Sequence, residues 1–372
     1  ETGGYARIAG YERFSGQPKP SDAVFGLIFL ASFTNPVAVG DTITNGTATG
    51  VVIAVTTGYI VYTKLASGTF AVGDAITVGA TPIGTMITPT SAIGAKLTAR
   101  YTALAADNYR ADIAKPTGSG RIRSVFVYND TAYCIRDNAG GTAAVLYKQT
   151  AGGWSAVTLF HEVSFTAGGT ATPLDTQTLT QGGVTATIRR VVTETGAWTG
   201  TATGRFIISN ISGGNFAAGA ATVTTSGATL TISGIQTQIT LSPGGKGEVV
   251  QANFFGQASG TRIYHADGVN RLFEFDGTTL VPISTGGLIP RHVVAHLRYL
   301  FYSVNSSIFY QGVGNPYTAV GGGEIATGDS VVGFLVMPGS QTTGTLAVLN
   351  RNSTNMLYGT APGSWNMTPY NS

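Results

Sequence analysis

The sequence predicts an all-β protein: a β-propeller-like body, incomplete at four recognisable units, carrying two inserted small β-barrel or β-sandwich domains. Three observations predict it. β-Branched and aromatic residues come in short runs punctuated by Gly, Asn and Asp, as in strands joined by tight turns. Two stretches read as copies of one another. Elsewhere, units of short strands recur every 40–50 residues or so, the spacing of propeller blades.

Composition narrows the function classes. Only 10% of the 372 residues are charged, against about 25% in an average soluble domain, while 17 Phe and 16 Tyr supply large core side chains. Disordered chains have the opposite bias. A surface rich in Thr, Ser and Gly suits a chain packed against neighbours better than a free monomer, which relies on charge to stay in solution. The net charge of +3 arises without a dense basic run, so the sequence carries no footprint for nucleic acid. A lone cysteine, Cys134, excludes an internal disulfide framework and reads as a core thiol. The apolar run Ala23–Ala31 contains Gly26 and is too short to span a membrane. The start at Glu1 and the end Trp365–Ser372 read as truncations.

In chain order, residues 1–30 are expected to join the propeller body, with the first inserted domain at 31–93. A linker and a blade follow over 94–162, including an Ala-rich helix from Lys96 that Pro116 must end. The second inserted domain is expected at 163–241, and further blades over 242–372. The copies align from Tyr59 to Phe70 and from Arg205 to Phe216, with Gly73 matching Gly219. Each alternates apolar and polar residues, which buries one sheet face, and Phe70 and Phe216 should plug equivalent cores. The blade units are Arg121–Phe160, Glu248–Ile283, His292–Thr318 and Ser330–Thr368. Both insertions are expected to project from the rim, because long insertions into loops cost little closure entropy. Excising Val163–Leu241 should then leave the blades folded.

Several residues invite chemistry, and each has a plainer explanation. His292 and His296 have metal-ligand spacing only on a helix, and here they lie in a strand pattern. Asp267-Gly268 is a turn, and Glu274, between Phe273 and Phe275, should face solvent; with His265 they do not make a hydrolase pair. Gly244-Gly-Lys-Gly247 runs into a strand rather than a helix, so it reads as a turn and not a phosphate loop. Cys134 lacks the surroundings of a nucleophile. Asp41 and Asp74 each follow a Gly, but Ala220 replaces the second in the other copy, which argues against calcium. No catalytic, cofactor-binding or metal residue is assigned, and no cofactor is expected. Trp198, in an extra loop over Glu194–Thr201, is either a loop anchor or an interaction residue.

Gly10-Tyr-Glu-Arg-Phe-Ser-Gly-Gln-Pro-Lys-Pro-Ser21, preceded by Gly3–Ile8, resembles the opening of the propeller-containing tail nozzle and tail stabilisation proteins of short-tailed bacteriophages. Arg271–Gly277 and Tyr299–Val304 fit the same pattern. The resemblance implies a non-enzymatic virion subunit in a homo-oligomeric ring around the DNA exit channel. Its partners would be a portal or adaptor ring or other tail proteins, with DNA passing and no sequence-specific contact. The alternative is a receptor- or glycan-binding module of a virion, using Trp198.

Overall fold

The computed structural model describes residues 23–112, 114–150, 152–254, 260–318, 322–338 and 344–370. The tail-like opening motif of the N-terminal segment therefore lies outside the described residues. Two compact units are drawn from the chain: one from Glu1–Lys115 with Gln149–Ser155, the other from Pro116–Lys148 with Ala156–Ser372.

In the first unit, alternation builds a closed barrel. Strands β1 (Phe25–Leu30), β2 (Thr42–Thr44), β3 (Thr49–Val55), β4 (Tyr59–Ala66), β5 (Ala75–Val78) and β6 (Thr81–Ile87) close in the order β1-β4-β3-β2-β5-β6. Ile28, Ile43, Val52, Ile60, Ile76 and Ile83 fill the interior at 0% exposure. Helix α1 (Ala95–Ala111) lays Tyr101 and Ala105 against Ile53 and Val61 on the outer face. The predicted helix is present and stops before Pro116. The predicted domain boundary, however, is misplaced. Phe25–Leu30 was expected in the propeller body, yet it pairs with β4 and β6 as a barrel strand. One face of β1 meets the barrel core, and Phe25 and Leu27 on the other meet the helix cluster. A strand buried on both faces loses its polar alternation. Gly26 is needed because a Cβ there would stand 2.3 Å from the Tyr62 ring.

The second unit begins with β7 (Ile122–Tyr128) and β8 (Thr131–Asp137), joined by Asn129-Asp130, both at positive φ as a primed hairpin turn requires. With β9 (Ala144–Thr150) and β10 (Gly153–Ala156), whose residues from Gln149 to Ser155 are grouped with the first unit, they form a four-stranded meander, β10-β9-β8-β7. Cys134 is buried there, and burial pushes its thiol up to about 11, so it stays protonated at neutral pH.

A second barrel follows, from β11 (His161–Gly168), β12 (Thr178–Gln181), β13 (Val184–Thr195), β14 (Ala202–Ser212), β15 (Gly219–Val223) and β16 (Ala228–Ile232), with the short β17 (Thr237–Gln238) on the edge of β11. The closed order β11-β14-β13-β12-β15-β16 repeats that of the first barrel. Register repeats too. Val52 opposes Tyr62 and Ala54 opposes Val61, skipping Ile53; Ile188 opposes Ile208 and Arg190 opposes Ile207, skipping Arg189. Phe70 and Phe216 each pack in the core of their own barrel, as the predicted duplication requires. Where Tyr62 becomes Ile208, the glycine beneath it, Gly50, becomes Ala186, because the smaller side chain leaves room for a methyl group.

Three further four-stranded meanders complete the unit: β18 (Glu248–Ala252) to β19 (Arg262–Ala266), β20 (Phe273–Phe275) and β21 (Leu280–Pro282); β22 (Val293–His296) to β23 (Tyr299–Val304), β24 (Ser307–Tyr310) and β25 (Gly323–Ala326); and β26 (Val331–Val336) to β27 (Leu346–Asn350), β28 (Thr354–Tyr358) and β29 (Asn366–Pro369). Each overlaps a predicted blade unit, although β25 lies beyond Thr318, where the third unit was expected to end. Phe126 and Tyr133 of the first meander pack edge-on against Phe275 of the second. Val293, Leu300 and Tyr302 continue that core into the third, and Phe301 and Ile308 share another with Val331, Leu346 and Val348 of the fourth. Backbone hydrogen bonds repeat at one end of the stack: Gly247 N–H to Arg123 C=O (3.0 Å), Gly268 N–H to Pro290 C=O (2.8 Å) and Val331 N–H to Asn305 C=O (2.9 Å). The chain is thus nearly all-β, with two small closed barrels and stacked sheets. Four stacked meanders do not by themselves establish a closed propeller.

The second barrel does not stand apart from the sheets. Val192, Ile207, Ile239 and Leu241 belong to the same core as Phe126, Leu146, Phe273 and Val281. The shared core argues against a module that can be cut away at the rim, because the outer face of this barrel supplies part of the sheets' own core.

Candidate functional site

The residues singled out in the sequence do not converge. His292 precedes β22, and its Nδ1 lies 2.6 Å from Glu248 Oε2. His296 ends β22 and sits beside Phe301. Four residues along a strand span about 13 Å, too far for one metal ion. His265 is buried at 1% exposure and stacked on Phe273, with centroids 4.4 Å apart. Burial lowers its pKa to about 4 against the pull of Asp267, so the imidazole is neutral at pH 7. Asp267 makes the predicted turn by accepting the N–H groups of Val269 (2.9 Å) and Asn270 (2.7 Å). Gly244 and Gly245 adopt positive φ in an irregular segment that leads into β18 rather than into a helix. Trp198 stacks on Phe165 at 5.1 Å and donates its Nε1–H to Thr193 (3.1 Å), so it anchors the long β13–β14 hairpin.

Asp41 and Asp74 are turn locks. Ala38-Val-Gly-Asp41 and Ala71-Val-Gly-Asp74 are the same corner used twice in the first barrel. Each carboxylate accepts the backbone N–H of the alanine three residues earlier, at 2.7 Å and 2.8 Å. The Ala71 N–H, and then the Asn45 amide, hold the Asp74 carboxyl below the usual carboxylate range. In the second barrel Gln177 does the same for Leu174 (3.0 Å). At the fourth corner, where Ala220 lacks an acceptor, Gln181 reaches across from β12 and accepts the Ala217 N–H (2.8 Å). The shared requirement is an acceptor for one N–H, and the acid at these positions supplies it locally.

The densest chemistry lies elsewhere, where β13 and β14 meet the β18–β21 sheet. Glu274 was expected at the surface but is 0% exposed. Arg190 donates from Nη1 to Glu274 Oε1 (2.7 Å), from Nη2 to Asp276 and from Nε to Asp175 (3.1 Å). Arg262 Nη1 also donates to Glu274 Oε1 (2.9 Å), and the Tyr317 hydroxyl donates to Oε2 (2.7 Å). Burial opposes the charge on Arg190, but Tyr317, Glu274, Asp276 and Asp175 outweigh it and hold the guanidinium protonated. Burial, and then Glu274, raise the Tyr317 hydroxyl well above its ordinary range, so it remains a donor.

A second cluster centres on Arg205, which donates from Nε to Glu194 (2.9 Å), from Nη1 to Glu162 and from Nη2 to the Pro282 carbonyl (2.7 Å). Arg271 donates to the other Glu162 oxygen (2.6 Å). Burial would raise the Glu162 carboxyl, but Arg205 and Arg271 hold it below its usual value. Both clusters spend their hydrogen-bonding capacity on one another. What they do is fasten a barrel to a sheet in one register, the use for which buried ion pairs are best suited. Sequence reasoning passed over them because the partners lie far apart in the chain. The signal was Arg189-Arg190 and Glu274 set inside apolar strands of a chain with so little charge. No protein-family model and no curated protein sequence matches this chain.

Proposed function

We propose that the chain is a non-enzymatic structural subunit of a phage tail, forming part of a propeller-containing ring around the DNA exit channel and contacting a portal or adaptor ring. The observation that carries this reading is apolar surface on the two outermost sheets of the stack. Val125 and Val127 on β7 are 64% and 61% exposed, and Val332, Leu335 and Val336 on β26 are 50%, 54% and 43% exposed. Such surface beside sparse charge is what an assembling subunit buries against neighbours. The repeated meanders, each joined to the next by a backbone hydrogen bond, suit blades of a propeller. The tail assignment itself stands on the resemblance of the opening segment. A glycan-binding role has less to support it, since Trp198 is partly buried and stacked on Phe165 of its own barrel.

Light scattering coupled to size exclusion, followed by negative-stain imaging, tests the proposal. A concentration-dependent oligomer with ring-shaped particles is expected. A single 38.2 kDa species at every concentration would remove the assembly reading.

A further inference from the structure

The end of the sheet stack that carries the repeated backbone contacts also gathers cations. Arg121, Lys246 and Arg291 each lie within two residues of the first strand of their sheet, at the starts of β7, β18 and β22. In the fourth sheet Arg351 lies in the β27–β28 turn, with its N–H on the Ser330 carbonyl (2.9 Å) just ahead of β26. All four are exposed. They share a run of depressions: Arg121 and Lys246 line the first, Lys246 and Arg291 the second, Arg291 and Arg351 the third. Among the described residues, Arg121, Lys246 and Arg291 form no ion pair. Arg351 is partly balanced by Asp329, whose carboxyl is lowered first by backbone N–H groups and to a lesser degree by Arg351. Glu248, the acid lining the second depression, is engaged by His292, and Asp137 is taken by Arg123.

We infer that this row is a contact for the phosphodiester backbone of duplex nucleic acid, bound without reading bases. One cation per sheet repeats at a spacing on the order of 10 Å, which suits a polymer of regularly placed anions. Guanidinium groups match phosphate oxygens two at a time. The described lining residues include no Phe, Tyr or Trp, so the row lacks the stacking platform by which single strands are held. The inference rests on the tail-subunit reading for the source of the duplex, although binding is measured on the chain itself.

The test uses the full chain and a labelled mixed-sequence duplex of about 30 base pairs, followed by fluorescence anisotropy across a salt series. Binding should weaken with salt at a log–log slope of about −3, as for three or four phosphate contacts. The triple variant Arg121→Gln, Lys246→Gln, Arg291→Gln should bind at least tenfold more weakly at about 50 mM salt and lose most of that slope. Lys96→Gln, Arg100→Gln, Lys115→Gln removes the same charge elsewhere and should bind like the parent. Equal loss in both variants, unchanged binding in the first, or no binding by the parent overturns the inference. So does displacement of the duplex by polyglutamate at equal charge, which would instead mark an acidic protein partner. Light scattering on the same samples separates the readings: a chain that assembles but does not bind duplex loses only this inference.

Discussion

The two barrels share strand order, register and bulge, and differ in what their outer faces carry. At equivalent positions the first barrel has Ala54, Tyr59 and Val61 where the second has Arg190, Arg205 and Ile207. The first set packs against α1, with Tyr59 and Tyr101 hydroxyls 2.9 Å apart. The second set is fastened to the β18–β21 sheet by two arginine clusters and a shared apolar core. Inward residues and corner turns thus determine the barrel, and the same outer patch determines what the barrel is attached to. An apolar patch tolerates several packings, whereas arginines forked onto fixed carboxylates accept one orientation.

The largest effect should come from removing the second barrel. Replacing Val163–Leu241 by a short Gly/Ser linker would strip Val192, Ile207, Ile239 and Leu241 from the sheets' core and leave Glu274 buried without Arg190. Circular dichroism should show cooperative loss of β-structure in the remaining sheets. Retention of a normal strand signal would make the attachment peripheral and restore the picture of a rim insertion.

Single substitutions sharpen the contrast. Arg190→Met leaves Asp175 and Asp276 without their cation and Glu274 with Arg262 alone, and breaking a buried pair costs roughly 3–5 kcal/mol; urea denaturation followed by circular dichroism measures it. At the matching point of the first unit, Tyr101→Ala removes a large buried ring and should cost about 3 kcal/mol. Its effect, read by hydrogen exchange, should be confined to α1, β1, β3 and β4. If Arg190→Met costs less than 1 kcal/mol or so, the cluster does not fasten the barrel.

Acid should also separate the units, because all four histidines lie in the second. The folded pKa of His265 is depressed to about 4. Its contribution, about 3 kcal/mol, is therefore fully present above the unfolded value near 6.5 and lost as pH falls through 4. Burial lowers His296 in the same direction. Glu162, lowered by its arginines against the effect of burial, adds a loss only below the ordinary carboxylate range. Among the described residues of the first unit, Asp74 is the carboxylate shifted down, so their loss begins near pH 4. Exchange protection measured between pH 7 and 5 should fall in the second unit first. Equal loss in both would show that His265 does not control the acid response.

The smallest effect tests the corner. Gln181→Ala removes the acceptor of the Ala217 N–H and the donor to the Ala217 carbonyl and should cost about 1–2 kcal/mol, and adding Ala220→Asp should restore part of it by supplying the acceptor that Asp74 supplies in the first barrel. Absence of rescue, measured by thermal denaturation, would mean that the two corners are not equivalent.

Much of the fold was legible because its signals are local. Alternation in Val184–Thr195, the Asn129-Asp130 and Asp267-Gly268 turns, and the matched run from Tyr59 to Phe70 and from Arg205 to Phe216 each express a rule acting over a few residues. Phe25–Leu30 was assigned to the wrong domain because burial on both faces erased its alternation. Glu274 was placed on the surface by the same rule, which knows two faces of a strand but not what covers the second.

The sequence by itself determined the all-β class, the single helix, the four meander units and the duplication of a barrel, since strand period and turn chemistry are written into neighbouring residues. Only the tertiary structure decided which carboxylates Arg190 and Arg205 would meet, that the second barrel shares the core of the sheets, and that Arg121, Lys246, Arg291 and Arg351 stand in one row. Coulomb attraction and apolar burial act between groups close in space, and pairs such as Arg190 with Glu274 and Arg205 with Glu162 are more than 40 residues apart in the chain. Their partnership exists only once stacking has brought the sheets together.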